Sequence, residues 1–329
     1  METTIATRTT VPALALAALF SFVAAPAQAQ LARTFVSNAI GNDANDCSRN
    51  TPCRNFQRAH DNTLAGGEIT VLDPGSYGAV TITKSISITS DGIGEAGVLV
   101  SGGANGIAIL AGAADAVSLR GLTIKGIGFG GGNGILFRSG KSLTIENCAV
   151  RTLTRTANGT GGSGIYIYSE TSANVTVTNT LVAQSEGVSL WLAAAGAGVT
   201  VKAILDHVAV YDGAESGIFV EQGSLGGSIQ VTARDSIAAG NALSGFLVSA
   251  AAGDASLLVT RSTSANNGGA GITTDEDGGI AVLRVGQSTI TGNGRSWSSF
   301  GGAVQSYGDN KIVGNGDGDP AIPTLIARK

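Results

Sequence analysis

Apolar and polar residues alternate with a period of two in short runs along most of the chain, and Gly, Asn, Asp or Ser closes most of these runs. Such runs predict half-buried strands ended by turns. One set of runs starts at a repeated glycine: Gly106-Ile107, Gly134-Ile135, Gly164-Ile165, Gly187-Val188, Gly217-Ile218, Gly245-Phe246, Gly271-Ile272 and Gly302-Ala303, with gaps of 28, 30, 23, 30, 28, 26 and 31 residues. Within it, Ile135 and Phe137, Ile165 and Ile167, Ile218 and Val220, and Phe246 and Val248 stand two apart and so share one face, which is inward by its apolarity. A second column of strands covers 118–124, 143–146, 175–178, 201–205, 229–232, 257–260 and 280–285, and a third, shorter strand falls near Ala149-Val150, Leu181-Val182 and Ile237-Ala238. Three strands per repeat, joined by turns too short for crossover helices, predict an all-β chain. Its expected fold is a single-stranded right-handed parallel β-helix whose coils bury their apolar faces against one another.

At the end of the second column stand Asn147, Asn179, Asp206 and Asp235, followed by Arg261 and Gln287. Stacked at that phase, their side chains are expected to bond the turn backbone of neighbouring coils. Upstream, Thr51-Pro52 is expected to open a short helix with Phe56, Ala59, Thr63 and Leu64 on one face, stopped by Gly66-Gly67. Placed before the first coil, this amphipathic helix reads as a cap over the open end of the solenoid. Strands at 68–72, 79–83 and 85–89 follow, with Asp73-Pro74-Gly75 and Asp91-Gly92 as turns.

Residues 1–29 read as a secretory leader, with Arg8 before an apolar stretch at 11–25 and Ala27-Gln28-Ala29 as the cleavage pattern. The chain from Gln30 is then exported, to a periplasm or the exterior. No second apolar run of spanning length follows. Residues 30–67 would hold a first strand, a disulfide loop and the cap, and 68–329 the β-helix. In an oxidising compartment Cys47 and Cys53 are expected to close a small loop, since no further Cys or His is spaced to complete a metal shell. Cys148 reads as a buried thiol. A net charge of -4 and the lack of a basic run argue against nucleic acid as a partner.

Three segments carry a family resemblance: Pro52-Cys53-Arg54-Asn55-Phe56-Gln57-Arg58-Ala59, Gly66-Gly67-Glu68-Ile69-Thr70-Val71-Leu72-Asp73-Pro74-Gly75-Ser76-Tyr77, and the strands from Val80 to Ile88. Together they resemble the opening of pectin-lyase-like β-helix proteins, within the broad right-handed β-helix repeat group of carbohydrate-binding, sugar-hydrolase and NosD-type domains. The resemblance implies the fold; the fold hosts many activities and also proteins with none. The polygalacturonase segments Asn-Thr-Asp, Asp-Asp, Gly-His-Gly and Arg-Ile-Lys are missing. So are the Arg-x-Pro-x-x-Arg pattern of pectate lyases, the Gln-Asp-Thr-Leu and Asp-Phe-Ile-Phe-Gly segments of pectin methylesterases, and the Asp-Pro-His segment of alginate epimerases. Two His and one Met, the latter within the leader, are too few for NosD-like copper work.

Two acidic groupings remain. Asp206, Asp212 and Glu215 lie in one repeat, with Asp235 in the next. Carboxylates on adjacent coils, ~4.8 Å apart, suit calcium binding or acid/base work, although Asp206 and Asp235 also fit the turn ladder. Asn315, Asp317 and Asp319 alternate with glycines as calcium ligands do, without the distal Glu, and a solvated terminal turn has the same pattern. Asp275-Glu276-Asp277 reads as a charged loop.

The outward positions of the glycine-led strands are aromatic. Tyr166 and Tyr168 point out if Ile165 and Ile167 point in; Trp191 is expected at the phase of Tyr168 and Phe219 at that of Tyr166, flanked by Leu136 and Leu247. Rings at strand spacing offer a platform for sugar faces, with Glu170 and Glu221 as rim acceptors. A loop such as 152–162, or another subunit, would cover the same stripe, so either way this face is the expected contact surface. The expected function is a non-catalytic protein that binds polysaccharide or a cell-surface component through Tyr166, Tyr168, Trp191, Phe219 and Glu221. A lyase or hydrolase at the Asp206 group and a structural envelope element or adhesin are the alternatives.

Overall fold

The computed structural model of the chain describes residues 1–5, 30–322 and 324–327, so the expected leader lies almost wholly outside the described residues. The chain forms a right-handed parallel β-solenoid of about nine turns. Each coil visits three sheets in order, as Ser142–Glu146, Ala149–Leu153, Ile165–Ser169 and then Ala173–Thr178 illustrate. We number them sheet I (twelve strands), sheet II (ten) and sheet III (nine). Every recorded strand pair is parallel and joins one coil to the next, as Ile135 beside Ile165 and Ile218 beside Phe246 show.

The interior is made by the period-two pattern. Ile107, Ile135, Ile165, Leu190, Ile218 and Phe246 lie one above another on sheet III with no exposed surface. Each such side chain contributes about 1.5–3 kcal/mol by leaving water. Just before this column the wall is crowded: a Cβ at Gly164 would sit 2.3 Å from Val182 Cγ1 and 2.6 Å from the Ser189 carbonyl oxygen. Glycine answers that crowding, but two coils use serine there, since Ser189 and Ser296 stand opposite Gly164 and Gly271. Gly187 and Gly302, expected in the beat, therefore lie elsewhere: Gly187 in the turn before Ser189, and Gly302 just before the sheet I strand Ala303–Ser306.

Other boundaries shift for identifiable reasons. The expected strand 118–124 is two strands, Ala116–Arg120 and Leu122–Gly126, in different sheets, divided by Gly121 with φ +71. The capping helix spans Phe56–Asn62, with Asn55 at its N-cap position. Thr51 and Pro52 stay outside it, because Cys53 is tied to Cys47 and its backbone bonds Phe35 and Ser37. The strand Thr63–Val71 follows at once, and Gly66 and Gly67 lie inside it rather than stopping the helix. The Cys47–Cys53 disulfide is formed, and Cys148 is a buried free thiol whose pKa burial pushes up to about 11.

The turn from sheet I to sheet II is left-handed at Asn147, Asn179, His207, Asp235, Arg261 and Gln287. His207, not Asp206, holds this position; Asp206 is the last residue of the strand Thr200–Asp206 and pairs with Arg234 across the sheet. The side-chain ladder that joins the coils lies elsewhere. Asn241, Asn267, Asn293 and Asn315 are buried at the turn from sheet II to sheet III, and each Oδ1 from Asn267 on accepts the backbone N–H and Nδ2 of the asparagine before it, at 2.8–3.1 Å. A parallel hydroxyl ladder runs through Ser236, Ser262 and Ser288 at the other end of sheet II.

Candidate functional site

The outer face of sheet III carries two vertical columns of side chains. The first is Leu136, Tyr166, Trp191, Phe219 and Leu247, in register on successive strands. Trp191 thus stands at the phase of Tyr166 and not of Tyr168, a one-step error that follows from counting from Gly187 instead of Ser189. The rings of Tyr166 and Trp191 are stacked at 4.4 Å and 22°, and those of Trp191 and Phe219 at 5.6 Å and 19°. These faces therefore cover each other, and the stack turns edges to the solvent. It forms a wall, not the platform that the spacing suggested.

The second column is Tyr168, Ala193, Glu221, Ser249 and Asp275. Tyr168 meets Tyr166 edge-on at 5.6 Å, and the Arg138 guanidinium, from the preceding coil, lies 5.3 Å from its ring centre. Arg138 also pairs with Glu170. On the following coil Ala193 offers only a methyl, so a slot of about 230 Å³ opens there. The Tyr168 ring bounds one end and Glu221 the other, two strand spacings or ~9.6 Å apart along the axis. Gly223, Ser224 and Leu225 form its lip, with Leu225 exposed.

Glu221 is held in place from the wall. The Trp191 indole Nε1–H donates to its Oε2 at 2.9 Å. Burial raises the Glu221 carboxyl above the usual carboxylate range, and the indole bond offsets part of that. Burial likewise raises the Tyr166 phenol, with the Glu221 charge adding to it. The loop 152–162 does not cover the rings through any recorded bond. Its partners are within itself, on the sheet II strand Leu181–Ser185, or on neighbouring turns between sheets II and III, where Gly162 bonds Gly132 and Arg155 reaches Glu186 and Glu215.

The four acidic candidates do not form one group. Asp206 and Asp235 lie at the turn from sheet I to sheet II, while Asp212 and Glu215 lie beyond the strand Ala209–Tyr211, at the turn to sheet III. Glu215 is paired with Arg155, and Asp212 is an exposed left-handed turn residue. Asp206, His207 and Asp235 each bring one ligand atom within 4.8 Å of the others. Yet Arg234 bonds Asp206 at 2.6 Å, and Arg261 grips Asp235 through two bonds of 2.9 and 2.7 Å. These guanidinium groups hold both carboxyls below the usual range and set positive charge beside the place a cation would take.

At the C-terminal end, Asn315 is the last rung of the asparagine ladder. Asp319 accepts from its N–H and Nδ2 and from Gly314, and Asp317 accepts the N–H and hydroxyl of Ser296. These oxygens serve the end of the solenoid, and Ile322, three residues after Asp319, is buried in the core. Larger hollows of about 830 and 560 Å³ lie on the outer face of sheet I, but they are more open and are walled by Thr, Gln and Ser with Lys202 and Arg284. The larger of them also carries a ring and a carboxylate, Tyr307 and Asp309, and a hollow of about 570 Å³ further along sheet III carries Phe300 and Asp275. The slot above Ala193 is the most enclosed of the four and its carboxylate is fixed by the Trp191 indole, which makes it the better candidate despite its size. Ala193, Leu225 and Arg138 escaped the sequence reading, because an alanine is informative only once its vertical neighbours are known.

Comparisons with known proteins agree with this architecture. A search of curated proteins returns no match. Among solved structures, the chain is similar to a crystal structure of pectate lyase Pel9A, with a TM-score of 0.60 and 16% identity over 88% of this chain and 81% of that one. It also aligns with a GH136 lacto-N-biosidase from Eubacterium ramulus, at a TM-score of 0.47 and 12% identity over 90% of this chain and 67% of the other. The family model described as "right handed beta helix region" matches residues 58–204 and 96–316, and the chain belongs to that family.

Proposed function

We propose that this is an exported, non-catalytic glycan-binding protein that holds a polysaccharide or cell-surface glycan along the outer face of sheet III, with one sugar ring in the slot above Ala193. The observation that carries this reading is the Tyr168–Ala193–Glu221 column, in which an aromatic ring and a half-buried acceptor flank a missing side chain. Aromatic surface and a few fixed polar groups are what sugar recognition uses. Geometry argues against paired-carboxylate hydrolysis, which needs two carboxyl groups within roughly 5–9.5 Å: among the described residues Glu221 is the one carboxylate bordering the slot.

One observation favours a second reading. Burial raises Glu221, as a general acid requires, and Asp275 stands two strands further along its column. A hydrolase would release reducing ends from bound glycan, and Glu221→Gln would abolish that release. The binding reading is tested on a glycan array with wild type and Tyr168→Ala. Wild type should retain a defined glycan set, and Tyr168→Ala should weaken it by roughly tenfold or more. Equal retention by the two proteins would refute it.

A further inference from the structure

We infer that the sheet III slot selects uncharged sugars and rejects uronates, a selectivity that deepens, and rests on, the binding reading above. Among the described residues the slot has one charged neighbour, Glu221, whose carboxylate faces it from the far wall, and no cation borders it. Arg138 approaches Tyr168 from the preceding coil, on the side away from Ala193, and its guanidinium is already committed to Glu170 and to the ring. The remaining borders are Ala193, Ala194, Ala195, Gly223, Ser224 and Leu225. A carboxylate brought into this slot would lose its hydration without meeting a cation, and would stand beside a like charge in a partly desolvated site.

The repulsion continues along the axis. A chain leaving the slot toward the C-terminal end follows the column from Glu221 through Ser249 to Asp275, so a polyuronate would meet a second carboxylate two coils on. Arg295, bordering the next hollow with Asp275, is the cation at that end. Hydroxyl groups of a neutral sugar, by contrast, donate to Glu221, whose other hydrogen-bonding demand is met by the Trp191 indole. Like-charge placement of this kind is a device of specificity and not only of affinity. The similar fold of a pectate lyase therefore does not carry pectate, the substrate in that enzyme's name, over to this slot.

The test is calorimetric titration of the whole exported chain at mildly alkaline pH, which favours the ionised Glu221 carboxyl. The probes are cellohexaose, laminarihexaose, β-1,4-galactohexaose and hexagalacturonate, the last with calcium and with chelator. At least one neutral hexamer should bind at least tenfold more tightly than hexagalacturonate in either condition. Glu221→Gln should narrow that ratio, and Glu221→Lys should invert it. Hexagalacturonate bound in preference by wild type, directly or through calcium, and lost in Tyr168→Ala, would overturn the selectivity and leave the site standing. Failure of every hexamer to bind, or neutral binding unchanged in Tyr168→Ala, would remove the site itself and the inference with it.

Discussion

At Ala193 a methyl stands where the neighbouring coils carry Tyr168 and Glu221, and this loss of bulk makes the slot. Alternation alone identified Tyr166, Tyr168, Trp191, Phe219 and Glu221 as outward, because a strand sends successive side chains to opposite faces. It did not show which of them are vertical neighbours, since Ser189 replaces the glycine on which the count relied. The Glu221 carboxyl offers a test at this scale. Its pKa is raised in the folded chain, so the cost of its burial is absent below the unfolded value, about 4.3, and grows as pH rises through the folded one. Glu221→Gln should therefore match wild type in melting temperature near pH ~4 and exceed it by about 2 °C near pH ~8. Scanning calorimetry at both pH values reads this directly; a variant less stable at the higher pH would show that the charge, and not its burial, is favourable.

Strands were the most legible elements, because each needs only a few alternating residues to declare its buried face. Turns were less so. A left-handed turn residue can be Asn, Asp, His, Arg or Gln here, and the residue type at Asn147 or His207 does not separate a conformational role from a bonding one. Burial does separate them. Asn267 is buried and makes six recorded bonds to Ala238, Asn241, Ser264 and Asn293, while Asn147 is exposed. Asn267→Ala would strip acceptors from the buried Asn241 donors and should cost about 3 kcal/mol in urea unfolding. Asn147→Gly, at φ 53, should stay within about 0.5 kcal/mol of wild type. Equal costs at the two positions would contradict this division of labour.

The whole molecule is held by contacts between successive coils, so its two ends need separate closure. The helix Phe56–Asn62 and the disulfide loop close one, and residues from Asn315 to Ile322 close the other. The first closure was legible through Cys spacing and helix pattern. The second was not, because Asn315, Asp317 and Asp319 carry the same residue types as a calcium loop and reveal their partners only in three dimensions. Reduction of Cys47–Cys53 should remove about 2 kcal/mol of loop constraint and loosen the N-terminal coils first, as hydrogen exchange of Phe35 and Val36 against Val248 amides would report.

On the proposed function, the stacked coils also decide where a glycan lies, and that is the claim most open to direct measurement. Ala193→Leu fills the slot from its floor while leaving Tyr168, Trp191 and Glu221 untouched. Titration of wild type and this variant, its fold checked by circular dichroism, with the tightest-binding neutral hexamer should show an affinity loss of roughly tenfold or more. An unchanged affinity in the folded variant would place the glycan elsewhere and contradict the account.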